Sequence, residues 1–464
     1  MTFSRSTGFL AVLLTVALTA SGCATVQRVN PFKGKGDPKE VAGEGERIAI
    51  VAPDQKVEVA ETLKGADFYL PAPVAINQWA LPGGTLEQAV DHVEAGDKLS
   101  VAWKRGFGQK SDRGAHITAP PVAANGKIFV MDGEVTVSAM DASTGAQIWR
   151  ANLRPASKRD KEAFGGGLAL SNGQLFVASG YRFVAKLNAD TGAVIWKTKT
   201  DEPIHAAPTV AGGRMFVVSV DNSLLTFDTE TGAPGWTYQA LSESARILAA
   251  SSPAVAGDTV VASFGSGELI ALKTANGNDL WNEALSRANR NNALSEIRDI
   301  PGRPVIYQGD VFAVSHSGVF SAIDLRTGQS RWSLAVTGIT SPWPAGDVVY
   351  VVATNGQVIC VARESGQIYW ITDLSVGRGK AKALDWIRSS SKKKRVIKPI
   401  WSSPLLASNR LILASNTGEL VALNAKTGAV EKSISLGGPV LLAPIAVNGT
   451  IYVATDEAQL IALR

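Results

Sequence analysis

A nine-residue turn motif that recurs along the chain constrains the fold more than any other feature of the sequence. In its full form the motif begins with Asp or Asn, carries Thr-Gly in the middle and ends with Trp. The full copies are Asp141–Trp149, Asn188–Trp196, Asp228–Trp236 and Asp324–Trp332. The weaker copies are Lys273–Trp281, Ala362–Trp370 and Asn424–Lys432, and the last of these has no Trp. Such a repeat indicates a fold built from similar units in succession.

Each residue type in the motif has a physical role. The Asp or Asn side chain accepts hydrogen bonds from backbone N–H groups two or three residues later, and Thr adds a second short bond. Gly supplies the positive φ that a tight hairpin needs at its end. Trp is a large flat side chain, and its burial stabilises a fold most when the ring packs against a neighbouring sheet. The motif therefore predicts a hairpin turn and a strand that packs on the next unit.

The spacing of the tryptophans selects the architecture. Seven of the eleven tryptophans lie at positions 103, 149, 196, 236, 281, 332 and 370, so consecutive members of this series are 38 to 51 residues apart. Runs rich in β-branched and aromatic residues, such as Arg214–Val218 and Asp347–Val351, lie between the turns and are typical of strands. A period of roughly 40–45 residues with about four strands per unit is typical of a β-propeller blade. We therefore predict an all-β propeller.

Short inner-strand units, most of them marked by Pro, set the number of blades. They are Ala119–Val122, Gly167–Leu170, Ala207–Val210, Ser252–Val255, Arg303–Ile306, Ser341–Pro344, Ser403–Leu406 and Ala443–Ala446. These units predict an eight-bladed β-propeller. The last unit ends at Arg464 with no turn motif, whereas Leu99–Trp103 is an outer strand with no blade of its own. We expect these two ends to pair, because pairing closes the ring and removes open sheet edges.

The N-terminal segment resembles a bacterial lipoprotein signal. Arg5 gives a positive start, Phe9–Ala20 is an apolar run too short to span a bilayer, and small residues precede Cys23. We interpret residues 1–22 as a lipoprotein signal peptide and Cys23 as the lipidated residue. The alternative is an ordinary secretory signal followed by a chance Cys. In the lipoprotein families that this segment resembles, Ala24 after the Cys favours sorting to the outer membrane.

The remainder of the chain is predicted to have three parts. Residues 23–46 are polar and rich in Gly and Pro, which is typical of a flexible tether. Residues 47–98 carry no copy of the repeat, and we expect them to form an N-terminal extension packed on the ring. Residues 99–464 hold all the repeats and form the propeller.

The sequence offers few residues in patterns that support catalysis. The four histidines, His92, His116, His205 and His316, show no metal-ligand spacing, and no Cys stands near them. Cys360 lies in an apolar strand, as a buried thiol would. There is no G-x-S-x-G sequence and no Walker A sequence. A formal net charge of +5 on 464 residues does not indicate nucleic-acid binding. We predict no catalytic residue, no cofactor and no metal.

The D-x-x-T-G-x-x-x-W repeat resembles the PQQ-like repeat of quinoprotein dehydrogenases and their non-enzymatic relatives. Such dehydrogenases hold a quinone against two adjacent cysteines and a calcium ion bound by acidic and amide side chains, and this chain has no Cys-Cys pair. The lipoprotein signal with eight PQQ-like blades resembles the BamB family. The resemblance implies a lipoprotein subunit of the machinery that inserts β-barrels into the outer membrane, facing the periplasm.

The same resemblance implies a partner and a binding surface. In that family the ring binds the periplasmic domains of the central barrel subunit through neighbouring loops, with Arg and Leu on one loop and acidic residues on the next. The matching residues here are Arg246 and Leu248 on one loop and Arg298, Asp299 and Ile300 on the other. Pro301 stands where a second acidic residue is usual.

Three functions remain open at this stage. The first is a non-catalytic scaffold of the β-barrel assembly machinery, which could also hold unfolded outer-membrane proteins by strand addition. The second is a periplasmic PQQ-dependent oxidoreductase, and the third is a lipoprotein that binds a cell-wall polymer. The basic run Lys392–Arg395 with Lys398 is either a solvated loop or a contact with phosphate-bearing lipid or an acidic partner.

Overall fold

The turn motif joins the last two strands of seven four-stranded sheets in this protein. The structure, a computed structural model, describes residues 57–112, 114–155, 164–242, 251–286, 297–376, 380–381 and 396–464. The chain divides into two units, Met1–Val51 and Ala52–Arg464. The predicted signal peptide, Cys23 and the predicted tether lie outside the described residues.

The strands form eight four-stranded antiparallel sheets, which are the blades, and one two-stranded sheet. Before the first blade lies β1 (Val101–Gly106). Blades 1 to 4 contain β2 (Val122–Ala124), β3 (Lys127–Met131), β4 (Thr136–Asp141), β5 (Gln147–Asn152); β6 (Gly166–Ser171), β7 (Gln174–Ser179), β8 (Phe183–Asn188), β9 (Val194–Lys199); β10 (Thr209–Ala211), β11 (Arg214–Val218), β12 (Ser223–Asp228), β13 (Pro234–Gln239); and β14 (Ala254–Ala256), β15 (Thr259–Ser263), β16 (Glu268–Lys273), β17 (Asp279–Ala284).

The second half of the ring repeats the same order from inner to outer strand. Blades 5 to 7 contain β18 (Val305–Tyr307), β19 (Asp310–Val314), β20 (Phe320–Asp324), β21 (Ser330–Leu334); β22 (Trp343–Ala345), β23 (Val348–Val352), β24 (Gln357–Ala362), β25 (Ile368–Asp373); and β28 (Leu405–Ala407), β29 (Arg410–Ala414), β30 (Glu419–Asn424), β31 (Val430–Ser435). Between blades 6 and 7, β26 (Lys380–Ala381) pairs with β27 (Val396–Ile397). Blade 8 contains β32 (Ile445–Val447), β33 (Thr450–Ala454), β34 (Gln459–Leu463) and, as its outer strand, β1.

The ring is closed by the two ends of the repeat region, as the sequence predicts. Strand β1 runs antiparallel to β34, from the pair Val101–Leu463 to the pair Gly106–Gln459. Ser100 and Arg464 also exchange two backbone hydrogen bonds, of 2.7 and 3.0 Å. The predicted eight-bladed all-β propeller is therefore confirmed. The described part of the chain contains no helix, and thus none that is long and apolar enough to cross a membrane.

The turn motif has the predicted hydrogen bonds. In blade 1, Oδ1 of Asp141 accepts the backbone N–H groups of Ser143 at 3.0 Å and Thr144 at 2.8 Å. The Ser143 and Thr144 hydroxyls donate to the same oxygen, and these bonds lower the pKa of Asp141 to about 2. Gly145 has φ of 70°, which closes the turn at little steric cost.

Each of seven tryptophans packs against the glycine of the turn motif in the next blade. A Cβ added to any of these glycines would lie within 3 Å of the ring or of its Cβ. The pairs are Trp103–Gly145, Trp149–Gly192, Trp196–Gly232, Trp236–Gly277, Trp281–Gly328, Trp332–Gly366 and Trp370–Gly428. Five of the indole N–H groups, those of Trp149, Trp196, Trp236, Trp281 and Trp332, donate to the carbonyl oxygen of the second residue of that turn. The tryptophans therefore link neighbouring blades.

The missing tryptophan of the last motif copy follows from this arrangement. Position 432 lies on the outer strand of blade 7 and faces blade 8, whose outer strand β1 comes from the other end of the chain. Blade 8 therefore has no turn motif on which a tryptophan could dock. Lys432 occupies the position instead, and its Nζ donates a hydrogen bond to the carbonyl oxygen of Lys98, two residues before Ser100.

Candidate functional site

The two faces of the ring differ in their connections. One face carries the turn motifs and the short turns between the first and second strands of each blade; we call it the turn face. The opposite face carries the connections between blades and the hairpins between the second and third strands; we call it the connection face. The described ends of the connections before β14, before β18 and before β28 belong to the connection face.

A segment of the N-terminal extension, residues 79–96, forms hydrogen bonds with all eight blades and is called the cap below. Its bonded pairs, from blade 1 to blade 8, are Trp79–Ala123, Ala80–Leu170, Gln88–Thr209, Leu86–Val255, Glu87–Ile306, Asp91–Trp343, Val93–Leu406 and Gly96–Gly449. Trp79, Gln88 and Val93 are almost fully buried by this contact. The cap therefore covers the inner strands on the side of their turn-face ends.

A cavity of about 310 Å³ opens from the connection face at the centre of the ring. Its wall is formed by residues that precede the inner strands, from Pro120 before β2 to Ala443 before β32. Pro82 of the cap also lines it, so the cap contributes to the wall of the cavity at the centre of the ring. The central space is thus a pocket with a cap segment at one end rather than an unobstructed channel.

The cavity holds four titratable side chains on an otherwise largely apolar wall. They are His116, His205, Arg303 and Asp456. Burial raises the pKa of Asp456 to about 6, although His116 opposes the shift. Burial also lowers the pKa of Arg303 to about 10, so the guanidinium is still protonated at neutral pH. Residue Arg303 is half-buried overall, but its Nε is sealed from solvent and has no hydrogen-bond partner.

The donor set of this cavity does not fit the quinone and calcium of the dehydrogenases. Cys360 is fully buried in β24 and is not part of the cavity wall. Asp456 is the one carboxylate among the lining residues. Over the described ranges no group of three or more His, Cys, Asp or Glu side chains could hold a metal ion. No step of a quinone-dependent reaction can be built from these residues.

Three of the residues predicted to bind the partner, Arg298, Asp299 and Ile300, lie on the connection face before β18. Arg246 and Leu248 fall outside the described residues. Of the other three, Arg298 is exposed, whereas Asp299 and Ile300 are 3% and 1% exposed. Ile300 belongs to the apolar cluster between blades 4 and 5, and the Asp299 carbonyl oxygen accepts the N–H of His316 at 2.9 Å. Arg298 is therefore the described member of the set that a partner could reach.

The two predicted loops meet at one hairpin, Phe264–Glu268. The backbone N–H of Leu241, at the start of the first loop, donates to Oε2 of Glu268 at 2.8 Å. A Cβ added at Gly267 would lie 2.9 Å from Cβ of Arg298 on the second loop. The described ends of both loops thus contact the same hairpin, and Leu241 is 67% exposed there.

Two features of the site were not singled out from the sequence. The cap carries no repeat, so only its Pro-Gly-Gly turn was visible as a local signal. Arg303 stands at a position that the other blades fill with Pro, Gly, Ala or Ser: Pro120, Gly167, Ala207, Ser252, Ser341, Ser403 and Ala443. That exception could have been found by aligning the eight inner strands.

Comparisons with known proteins agree on one family. Residues 90–160, 133–372 and 384–464 match the sequence profile described as outer membrane protein assembly factor BamB. Curated proteins of that name from Moranella endobia and Shewanella oneidensis are 22% and 24% identical over 74% and 78% of this chain, and the matches cover 84% and 87% of those proteins. The protein of that name from Escherichia coli is 23% identical over 73% of this chain and 82% of its own length.

Solved structures show the same fold. The crystal structure of BamB from Moraxella catarrhalis aligns with a TM-score of 0.64 at 18% identity, over 79% of this chain and 99% of that one. A europium-containing methanol dehydrogenase aligns with a TM-score of 0.65 at 13% identity, over 82% of this chain and 89% of that one. Fold similarity alone therefore does not separate the assembly factor from the dehydrogenases.

Proposed function

The chain belongs to the family of outer membrane protein assembly factor BamB, and from this premise we propose that it is a non-catalytic scaffold of the β-barrel assembly machinery. It is held on the periplasmic side of the outer membrane by lipid on Cys23. It binds the periplasmic domains of the central barrel subunit and assists the assembly and insertion of β-barrel proteins. The observation that carries the proposal is the family match, which covers most of the closed ring.

The binding surface in this proposal is the part of the connection face around hairpin Phe264–Glu268. Leu241 offers an exposed apolar side chain and Arg298 an exposed cation on either side of this hairpin. An apolar residue with Arg nearby is typical of binding hot spots. Buried Ile300 and Asp299 hold the Arg298 loop in place, so they support the surface without needing to touch the partner. Arg246 and Leu248 extend the same proposal into the first loop.

A pull-down from detergent-solubilised envelope tests this surface. Arg298→Glu and Leu241→Ser should each lower the amount of central barrel subunit that co-purifies, while the thermal midpoint of the ring stays unchanged. Arg326→Glu is the matched control, because Arg326 is an exposed arginine of a turn motif on the opposite face. Wild-type capture by both loop variants, or equal loss in the control, would place the binding surface elsewhere.

The perimeter of the ring favours a second contact, with unfolded outer-membrane proteins. Within the described residues the outer strands β5 and β9 pair on one side only, and they carry Ile148, Val194 and Ile195, which are 45%, 48% and 49% exposed. An extended chain could pair with such an edge by strand addition. Ile148→Lys with Ile195→Lys should lower binding of an unfolded barrel protein in crosslinking experiments, and unchanged crosslinking would exclude these edges.

The oxidoreductase alternative is tested by addition of the quinone and Ca²⁺ to the purified protein. We expect no bound chromophore and no dye-linked alcohol oxidation. A bound chromophore together with dye-linked alcohol oxidation would overturn the assignment as a scaffold.

A further inference from the structure

We propose that the central cavity binds a small organic anion, a carboxylate attached to an apolar or aromatic group, with Arg303 as its ionic partner. The inference goes beyond the scaffold function and does not depend on it. It rests on the position of Arg303, on two buried donors without partners and on the apolar wall around them.

The first observation is the asymmetry of the ring at one structural position. In six blades the residue two before the first residue of the inner strand lines the cavity and is Pro, Ala or Ser. In blade 2 the inner strand begins earlier, and strand pairing aligns Gly167, within β6, with Pro120 of blade 1. Short side chains at this position leave the central space open. In blade 5 the position is Arg303, so one long cationic side chain enters a space that its equivalents leave free.

The second observation is a buried donor on Arg303 that has no acceptor. Within the described residues Nε of Arg303 is sealed from solvent and forms no hydrogen bond. The backbone of Arg303 is held in place, because its N–H donates to Oγ of Ser341 at 2.9 Å, and the N–H of Ser341 donates to Oγ of Ser403 at 2.9 Å. A buried donor without a partner is costly, and a carboxylate matches the planar guanidinium with two parallel hydrogen bonds.

A second donor without a partner lines the same cavity. Trp401 is 3% exposed, and its buried indole N–H has no acceptor among the described residues. Buried indole N–H groups usually have a hydrogen-bond partner. Nε of Arg303 and Nε1 of Trp401 are therefore two donors in the cavity wall without an acceptor among the described residues, and side chains of the wall must shift for a carboxylate to reach either atom.

The remaining wall selects an apolar body for the ligand. Phe164, Ile339 and Leu442 line the cavity, and Ile400 and Leu441 at its lining are 47% and 51% exposed to solvent. A volume of about 310 Å³ lies in the range of small-molecule sites, which are mostly apolar with a few polar groups. A molecule with one charged end and one ring fits this combination better than a fully polar anion such as phosphate.

Another charge at the cavity predicts how binding depends on pH. Asp456 opposes the binding of an anion when its carboxyl group is ionised. Because the pKa of Asp456 is raised to about 6, its charge is lost as the pH falls through that value. Affinity for a carboxylate should therefore rise between pH 7.5 and pH 5.5, as long as the ligand itself stays ionised.

Titration calorimetry with 3-phenylpropionate and its neutral isostere 3-phenylpropanamide tests the proposal on the full ring. We expect the acid to bind at least tenfold more tightly than the amide, and more tightly at pH 5.5 than at pH 7.5. Arg303→Gln should remove the preference for the acid, whereas Arg326→Gln, on the exposed turn face, should keep it. The peptide acetyl-Gly-Gly-Phe, with a free or an amidated C-terminus, separates a chain end from a free acid as the source of the carboxylate.

Two results would overturn the proposal. One is equal affinity for acid and amide, or no measurable binding of either, in the wild-type protein. The other is an unchanged preference for the acid in folded Arg303→Gln. If that variant does not fold, the comparison of acid with amide and its pH dependence in the wild-type protein still decide the matter.

Discussion

The docking of Trp281 on Gly328 predicts that replacing this glycine costs more than its backbone conformation alone explains. Gly328 has φ of 74°, and a Cβ added there would lie 2.6 Å from Cγ of Trp281 in the preceding blade. Gly309 in the same blade has φ of 85°, and nothing lies within 4 Å of a Cβ added there. Gly309→Ala therefore measures the strain of a positive φ alone. Gly328→Ala has the same strain and also displaces the indole ring of Trp281.

The magnitudes follow from the contacts. In both variants, an alanine held at positive φ lowers the free energy of unfolding by about 1 kcal/mol. Gly328→Ala in addition pushes Trp281, which is 9% exposed, out of its site and lengthens the 2.7 Å bond from its indole N–H to the Leu325 carbonyl oxygen. Loss of that bond contributes about 1 kcal/mol and loss of packing about 1–2 kcal/mol. We expect the free energy of unfolding to fall by about 3–4 kcal/mol for Gly328→Ala and by about 1 kcal/mol for Gly309→Ala.

Differential scanning calorimetry gives the assay, with Trp281→Ala as the second arm of a double-mutant cycle. For a ring of this size an unfolding entropy of about 2 cal/mol/K per residue converts 1 kcal/mol to a shift of about 1 °C in the thermal midpoint. In the Trp281→Ala background, Gly328→Ala should lower the free energy of unfolding by only about 1 kcal/mol, which is the effect of the positive φ alone. Equal shifts for the two glycine variants, or the same large shift with and without Trp281, would refute docking as the cause.

Four further predictions follow from the chain ends, the cavity and the basic run. Deletion of Ala454–Arg464 removes β34 and exposes the edges of β1 and β33, so we expect loss of soluble protein; a folded monomer would contradict closure. Cys23→Ser should move the protein from the membrane to the soluble fraction, and an unmodified mature N-terminus found elsewhere by mass spectrometry would exclude lipidation. Asp456 has a folded pKa of about 6 against an ordinary 3.8, so its burial lowers stability as the pH rises through this range. Asp456→Asn should raise the thermal midpoint at pH 7.5 and leave it unchanged near pH 4. Replacement of Lys392–Arg395 by Ser should weaken salt-sensitive binding to anionic vesicles, and no change at low salt would indicate a solvated loop.

The repeat made most of the fold predictable, because its information is local. Asp141, Thr144 and Gly145 specify a turn through bonds within the motif, and the same bonds recur in the other full copies. Closure by β1 was predictable as well. The final unit lacked an outer strand, and Leu99–Trp103 was an outer strand that belonged to no other blade. The number of blades then followed from counting the inner strands.

The cap and the cavity could not be predicted in the same way, because both depend on contacts between distant parts of the chain. Trp79 and Gly96 bond to blade 1 and blade 8, which are neighbours only after the ring has closed. The preference for small residues before each inner strand was visible, but only closure brings those eight positions to one centre. Ile300 shows a different case: the family resemblance implied a binding role for it, whereas the structure places it at 1% exposure in the apolar cluster between two blades.

The one motif copy without Trp shows how the sequence of a single turn depends on the closure of the whole ring. A Trp at position 432 would face blade 8, where the turn motif is absent because β1 supplies the outer strand. A large apolar side chain there would have no glycine to dock on and would lie against the chain entering β1. Lys432 instead reaches the Lys98 carbonyl oxygen at that junction. The missing Trp therefore identifies the blade that precedes the point of ring closure. We expect the same in any propeller whose last blade takes its outer strand from the start of the chain: the preceding blade should lack the tryptophan that docks on the next turn.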